Sequence, residues 1–449
     1  MGEATGSGQV DGRTGAQWLL CTFAFSLAFM QPPLFVGGYA LVASDLLFSL
    51  LAGVIALLVI AGRVRLVGDR AFVSIALYFA AMLLSVVLGD GSASLSKLAT
   101  QFVLFAMPVA ACCLIRDEAA LRRVVLAWLV GTGAVVLVGV ASLLLFALDP
   151  AHPLLEWTRF QFGTLPPGPY PRLRLTFLNA NMACNYLTVS FALLLAAGRV
   201  GWLGRRAAWL LGGGIVVVAT TTISPGFAGF ALLSGLWLWM RQRQTQPVLA
   251  RLVLVAGLGV AALFVAAMAV TPILHPTAPY LIRVPGTDLI LSPSPRLMIW
   301  TEAAANFLQH PLIGRGYGAT AVSVSYLDPS GRLQQLTDAH NMFLNLAVQC
   351  GVVGLLALLA LVAHMVRRTM PLRLTSDPAG IVRVAAGLGL LNGLVYQGLG
   401  GSFEDARHLW FLFGLLLASS RIEQRARAVV EGRGSGGLRL TPRGRGPLP

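Results

Sequence analysis

Two kinds of side chain in this sequence are suited to chemistry. The first is His340, in the run Asp338-Ala339-His340-Asn341-Met342-Phe343-Leu344 at the head of an apolar stretch. An imidazole titrates near neutrality and can take a proton from a hydroxyl as that oxygen attacks. Asp338 is placed to orient the ring or to cap the helix that follows. The second is a group of arginines in two hydrophilic segments: Arg159, Arg172 and Arg174 in one, Arg283, Arg296 and Arg315 in the other. A guanidinium fork binds phosphate through two parallel hydrogen bonds and keeps its charge at any relevant pH. The plainer reading of these arginines is pairing with Asp149, Glu156, Asp288, Glu302 or Asp328, or contact with lipid headgroups; as a group, a phosphate-binding role is the better fit. No HExxH occurs, no DxD stands in these segments, and their acids are dispersed. A metal site is therefore not expected, nor any cofactor. Displacement of a phosphate leaving group needs no metal if cations steady it.

These residues must be held by a membrane bundle. The chain has 449 residues, 56% of them hydrophobic and only 11% charged, with a mean hydropathy of +0.76. A soluble domain carries roughly a quarter of its residues charged, so lipid must cover this one. The net charge of +15 invites a nucleic-acid partner. However, Lys97 is the single lysine among 33 basic residues, and the arginines sit between apolar runs rather than along one face, so no nucleic acid is expected. Cys21, Cys112, Cys113, Cys184 and Cys350 all lie in apolar stretches without a CxxC, as small buried hydrophobes do. The start of the chain reads as a cytoplasmic tail over residues 1–15, not as a signal peptide.

A hydrocarbon core about 30 Å thick needs around 20 apolar residues of helix. Such runs fall near 16–30, 35–61, 71–89, 95–115, 124–147, 176–197, 207–222, 225–240, 252–272, 340–366, 382–400 and 409–420. The fold class is thus an all-α integral membrane protein with about 12 transmembrane helices. Nine helices occupy 16–272 with a loop near 148–175, three occupy 339–420, and a basic, disordered cytoplasmic tail fills 421–449. With the N-terminus in the cytoplasm, 24 of the 33 basic residues fall on the inner side and nine on the outer, so both termini are expected to be cytoplasmic. The largest outer segment, 273–338, is far longer than a connection requires. Within it Met298, Ile299, Trp300, Ala303, Ala304, Phe307 and Leu308 recur near a 3.6-residue period, as in an amphipathic helix lying on the membrane or capping a cavity, ended by Pro311.

Three stretches carry a family resemblance. His340-Asn341 with Phe343-Leu344, Gly351 and Gly354 resembles the HNxxL…GxxG signature of the O-antigen ligase and O-antigen polymerase superfamily. Ser294-Pro295-Arg296…Trp300…Ala303…Phe307…Pro311-Leu312-Ile313-Gly314…Gly316…Gly318 is similar to the same family's SxRxxxW…F…PLxGxGxG stretch. Arg172-Leu173-Arg174-Leu175-Thr176-Phe177-Leu178-Asn179-Ala180-Asn181 resembles its Arg-x-x-G-x-F-x-N-P-N segment, without the central proline. Where the family often shows Ser-Arg-Gly, this chain has Ser224-Pro225-Gly226, and Arg174 or Arg159 is the neighbour to replace the missing arginine.

The resemblance implies a helical bundle in the bacterial inner membrane with a large periplasmic loop, carrying short amphipathic helices, over the active site. It implies metal-independent, inverting transfer of a glycan from undecaprenyl pyrophosphate to a sugar hydroxyl, in the biosynthesis of lipopolysaccharide. The acceptor is lipid A–core in a ligase and a second lipid-linked glycan in an O-antigen or exopolysaccharide polymerase. On that pattern His340 is the catalytic base, and Arg172, Arg174 and Arg296, with Arg159 and Arg315, hold pyrophosphate. Asp338, Asn341, Asn179, Asn181 and Trp300 support them. The alternative from another class is a polytopic transporter or lipid flippase; such proteins show repeats and charges at mid-membrane, whereas Asp45 is the one clear charge inside an apolar run here.

Overall fold

The computed structural model describes residues 12–36, 39–90, 94–159, 170–274, 282–283, 290–291, 296–327, 333–401 and 406–435. In chain order its elements are α1 (Gly12–Ser26), a hairpin of β1 (Leu34–Val36) and β2 (Tyr39–Leu41), α2 (Ala43–Ile60), α3 (Arg70–Leu88), α4 (Leu95–Leu114), α5 (Glu118–Leu148) and the short α6 (Leu155–Thr158). Then come α7 (Ala180–Val200), α8 (Arg205–Thr221), a 3-10 turn at Pro225–Phe227, α9 (Ala228–Gln242), α10 (Pro247–Leu274), and a hairpin of β3 (Ile282–Arg283) and β4 (Ile290–Leu291). The chain continues with α11 (Arg296–Gln309), a hairpin of β5 (Val324–Leu327) and β6 (Leu333–Leu336), α12 (Met342–Thr369), α13 (Pro378–Gly400) and α14 (Arg407–Ser435).

A helix lies on each of the twelve apolar runs, but among the described residues seven helices are long and apolar enough to cross a membrane: α2, α3, α4, α5, α7, α12 and α13. The chain is a multi-pass membrane protein. The 15 residues of α1 and α9 and the 17 of α8 fall short of the length a bilayer core requires. The apolar run of α14 is bounded by Arg407 and Arg421, and this helix continues past residue 420 to Ser435. The second run also differs from the sequence expectation. Its first residues pair as the β1–β2 hairpin, and α2 begins only at Ala43, where Asp45 accepts the backbone N–H of Val42.

Packing follows side-chain size. α7 and α13 are buried nearly all round, whereas α2 and α3 are mostly exposed on the outside of the bundle. Small residues allow the central pair to approach closely: a Cβ at Gly389 of α13 would stand 3.3 Å from that of Ala192 in α7. Ion pairs gather at the two ends. At one, Asp69 receives Arg368 and Arg421, while Arg383 and Glu423, 4% and 5% exposed, pair at 2.6 Å. At the other, Arg407 binds Asp45 through two bonds of 2.5 and 2.9 Å, and Arg315 binds Asp90 at 3.1 Å.

The loop segment 311–318 is threaded into this second end. α12 is interrupted at Gly351, whose φ of +62° and ψ of −161° belong to no helix. The interruption frees backbone groups, and the segment takes them up. The amides of Arg315 and Gly316 donate to the carbonyls of Val348 and Gln349, both at 3.0 Å. In return Val352 donates to Pro311 at 2.8 Å and Val353 to Leu312 at 3.3 Å. The far side of the segment is bound as well, Asp90 donating to Arg315 and Ser94 to Tyr317. The approach leaves no room for side chains: a Cβ at Gly351 would fall 2.3 Å from the Leu312 carbonyl, and one at Gly314 2.4 Å from that of Gln349.

Gly351→Ala is expected to destabilise the protein by at least the roughly 1–3 kcal/mol of a strained backbone, because the segment must also move. Thermal unfolding in detergent measures this. Gly53→Ala, in a helix with nothing within 4 Å of the added methyl, is the control and should be neutral or slightly stabilising.

Candidate active site

His340 sits in the turn between β6 and α12 with a φ of +47°, a left-handed conformation rarely adopted by residues other than glycine, asparagine or aspartate. Three contacts impose it. Asp338 accepts the His340 backbone N–H at 2.6 Å, Asn345 accepts that of Ala339 at 3.4 Å, and the indole of Trp300 donates to the Ala339 carbonyl at 3.1 Å. The helix cap is Asn341, which accepts from Phe343 and Leu344. Of the two roles open to Asp338, capping is thus excluded. Its carboxylate lies 3.7 Å from Nδ1 of His340. The imidazole is 42% exposed, so it is open to a substrate.

α11 lies over this turn. Ile299 and Ala303 are buried with Ala321, Val322, Val324, Ala339 and Val348, and Trp300 and Phe307 are partly buried against them. Met298 and Leu308 of the same apolar set face outward, 46% and 72% exposed. Arg296 opens α11, but its side chain lies outside the described residues, as do Arg332, Asp288 and Asp328.

The remaining arginines divide by what they bind. Arg159 donates to the carbonyls of Pro150 and Tyr170 and stacks over Phe146, while Arg174 donates to those of Glu156 and Trp157. Both brace the backbone around α6. Arg315 is paired with Asp90 beside the threaded segment. Arg172 differs, being 9% exposed. Burial lowers its pKa from the usual arginine value, and Tyr170 and Tyr396 oppose that shift. A cation withdrawn from water in this way is stabilised by an anionic partner. Asn179 caps α7 through the amide of Met182, and Asn181 is partly buried one turn along.

Packing through α13 brings Arg172 and His340 to the same end of the bundle. Tyr396 of α13 acts on Arg172 and lies against Gly226, where an added Cβ would meet its ring at 3.2 Å. Two residues on, Gly398 packs against Phe343, in the first turn of the helix that His340 precedes. The amide of Leu173 donates to the Thr221 carbonyl at 3.1 Å, which sets the Arg172 strand beside the Ser224-Pro225-Gly226 turn. Tyr396 escaped the sequence reading because a tyrosine near the end of an apolar helix resembles an ordinary interfacial anchor. Asp45, expected from the sequence to be a lone membrane charge, is the partner of Arg407 at this same end. Among the described residues there is no group of three or more His, Cys, Asp or Glu that could hold a metal ion.

No curated protein gives a match to the chain. Residues 207–359 match the family model described as O-Antigen ligase (Wzy_C), a stretch that includes the Ser224–Gly226 turn, α11, the threaded segment and His340. That segment is similar to the O-antigen ligase family.

Proposed function

We propose that the protein transfers a glycan from undecaprenyl pyrophosphate to a sugar hydroxyl, that of lipid A–core, at the periplasmic face of the bacterial inner membrane, with both termini cytoplasmic. The observation that carries this reading is the placement of an exposed imidazole and a buried guanidinium at one end of the bundle, joined through Tyr396 and Gly398. The family match over residues 207–359 supports the reaction class.

An imidazole nitrogen of His340 accepts the acceptor hydroxyl proton while that oxygen attacks the anomeric carbon. The bond from this carbon to the phosphate oxygen breaks on the opposite face, which inverts the centre. Undecaprenyl pyrophosphate leaves with the bonding electron pair. Asp338 stabilises the imidazolium from 3.7 Å. Arg172, beside the turn where the family pattern has an arginine, neutralises the growing charge on the leaving phosphate. Stabilising charge that develops in the transition state contributes more to the rate of such a step than any other single effect. Arg296 joins it, whereas Arg159 and Arg174 act by shaping the loop that presents Arg172.

Reconstitution with a defined lipid-pyrophosphate glycan tests the reading. Lipid A–core as acceptor should give a single transfer; a growing ladder from the donor alone would instead mark a repeat-unit polymerase. His340→Asn keeps a residue tolerant of the left-handed turn but removes the base. It should lower the rate by about 10²–10⁴ without changing the unfolding temperature, and a wild-type rate would end the base assignment. Arg172→Lys keeps the charge and loses the fork. It should fall about tenfold or more, short of the roughly 10²–10³ seen when a charge-stabilising donor is deleted. EDTA should leave transfer unchanged; strong inhibition would refute the metal-free scheme.

A further inference from the structure

An apolar groove of about 640 Å³ runs along α2, α3 and α4, from Phe48, one turn from Asp45, to Ile60 and Leu66 at the end of the bundle away from His340. Phe48, Ile55, Phe72, Phe79, Phe105 and Ala106 line it, and Leu66 and Ile60 stand at its mouth. Its volume falls within the roughly 300–1,000 Å³ of small-molecule sites, and its walls offer a ligand almost nothing but hydrocarbon. α2 and α3, which form two of those walls, are the least buried of the seven membrane-length helices, so the groove opens toward lipid rather than into the core.

The mouth is strongly cationic. Arg63 and Arg65 are exposed in the α2–α3 connection, Arg65 being the neighbour of Leu66. Arg116, just beyond the end of α4, donates to the Arg65 carbonyl at 3.2 Å and so ties the two walls together. Its charged neighbours are Arg13 of α1, Arg425 of α14 and Arg65. Burial lowers the Arg116 pKa first, and these three guanidinium groups lower it further. Of the acids near this rim, Asp69 holds Arg368 and Arg421, Glu423 holds Arg383 and Arg427, and Asp117 caps α5, while Glu118 stands exposed in the first turn of α5. Two helices and two connections thus bring like charges together where they repel, at the rim of a hydrocarbon slot. An anion with an attached apolar chain relieves both conditions. Basic pockets between membrane helices bind anionic headgroups on this principle.

We propose that this groove is a binding site for an anionic phospholipid, with an acyl chain between α2, α3 and α4 and the phosphate against Arg65, Arg116 and Arg425. The site is independent of the transfer reaction and lies at the other end of the molecule.

The test uses the full-length protein, delipidated in an uncharged detergent and titrated with phosphatidylglycerol or phosphatidylcholine of identical acyl chains, with bound lipid read by native mass spectrometry. Phosphatidylglycerol should bind more tightly. The double variant Arg65→Gln/Arg425→Gln should cut that preference about 25-fold, each arginine removed accounting for about fivefold in affinity. Ala106→Trp, which fills the groove, should weaken both lipids while leaving the arginines in place. Equal binding of the two lipids to the wild-type protein would overturn the proposal. So would a phosphatidylglycerol preference undiminished in the double variant, or binding unaffected by Ala106→Trp. Should the double variant not fold, Arg65→Gln alone serves, with a loss of about fivefold in the preference expected.

Discussion

A helix interrupted inside a bilayer exposes amides and carbonyls that have no water to turn to, and each one left unsatisfied costs several kcal/mol. That constraint governs the end of the bundle that carries His340. α12 breaks at Gly351, and the carbonyls of Val348 and Gln349 and the amides of Val352 and Val353 are met by the backbone of 311–318. The glycines of that segment serve a backbone contact with no space for side chains. In meeting the break, the segment fixes the connection between α11 and α12, and with it the turn that presents His340. The same contact binds the segment to the ends of α3 and α4 through Gly89, Asp90 and Ser94.

Charge at this end is placed under the same constraint. Asp45, in the first turn of α2, would be costly alone at a membrane boundary, and the two-pronged bond from Arg407 makes it a clamp between the first turns of α2 and α14. Arg315 and Asp90 do the same between the threaded segment and α3. Arg159 and Arg174 use their donors on carbonyls of the α6 turn. Arg172 is the most withdrawn from water of the arginines in its segment, at 9% exposure beside Tyr170 and Tyr396.

Much of this was readable from the residues because hydropathy is a strong signal. All twelve apolar runs contain a helix, and the 3.6-residue period of Ile299, Ala303 and Phe307 located α11. What stayed hidden depends on contacts distant in sequence. Glycine is common in membrane helices, so Gly351 in its apolar run gave no sign that the helix breaks there. The β1–β2 hairpin lay within a stretch apolar enough to pass for helix. Nothing in the spacing of Arg159, Arg172 and Arg174 separates the one withdrawn from water from the two bound to carbonyls, since the fold of the intervening turn decides it. The sequence offered Asp338 as a cap of α12, and the geometry assigns that role to Asn341.

The indole of Trp300 joins α11 to the residue before His340 by one hydrogen bond, while Ile299 and Ala303 seal the same helix onto Ala339 and Val348. The helix and the turn therefore behave as one lever. Pressure on the outward side chains of Met298 and Leu308 would therefore be passed, through Trp300 and Ile299, to the turn that holds the imidazole.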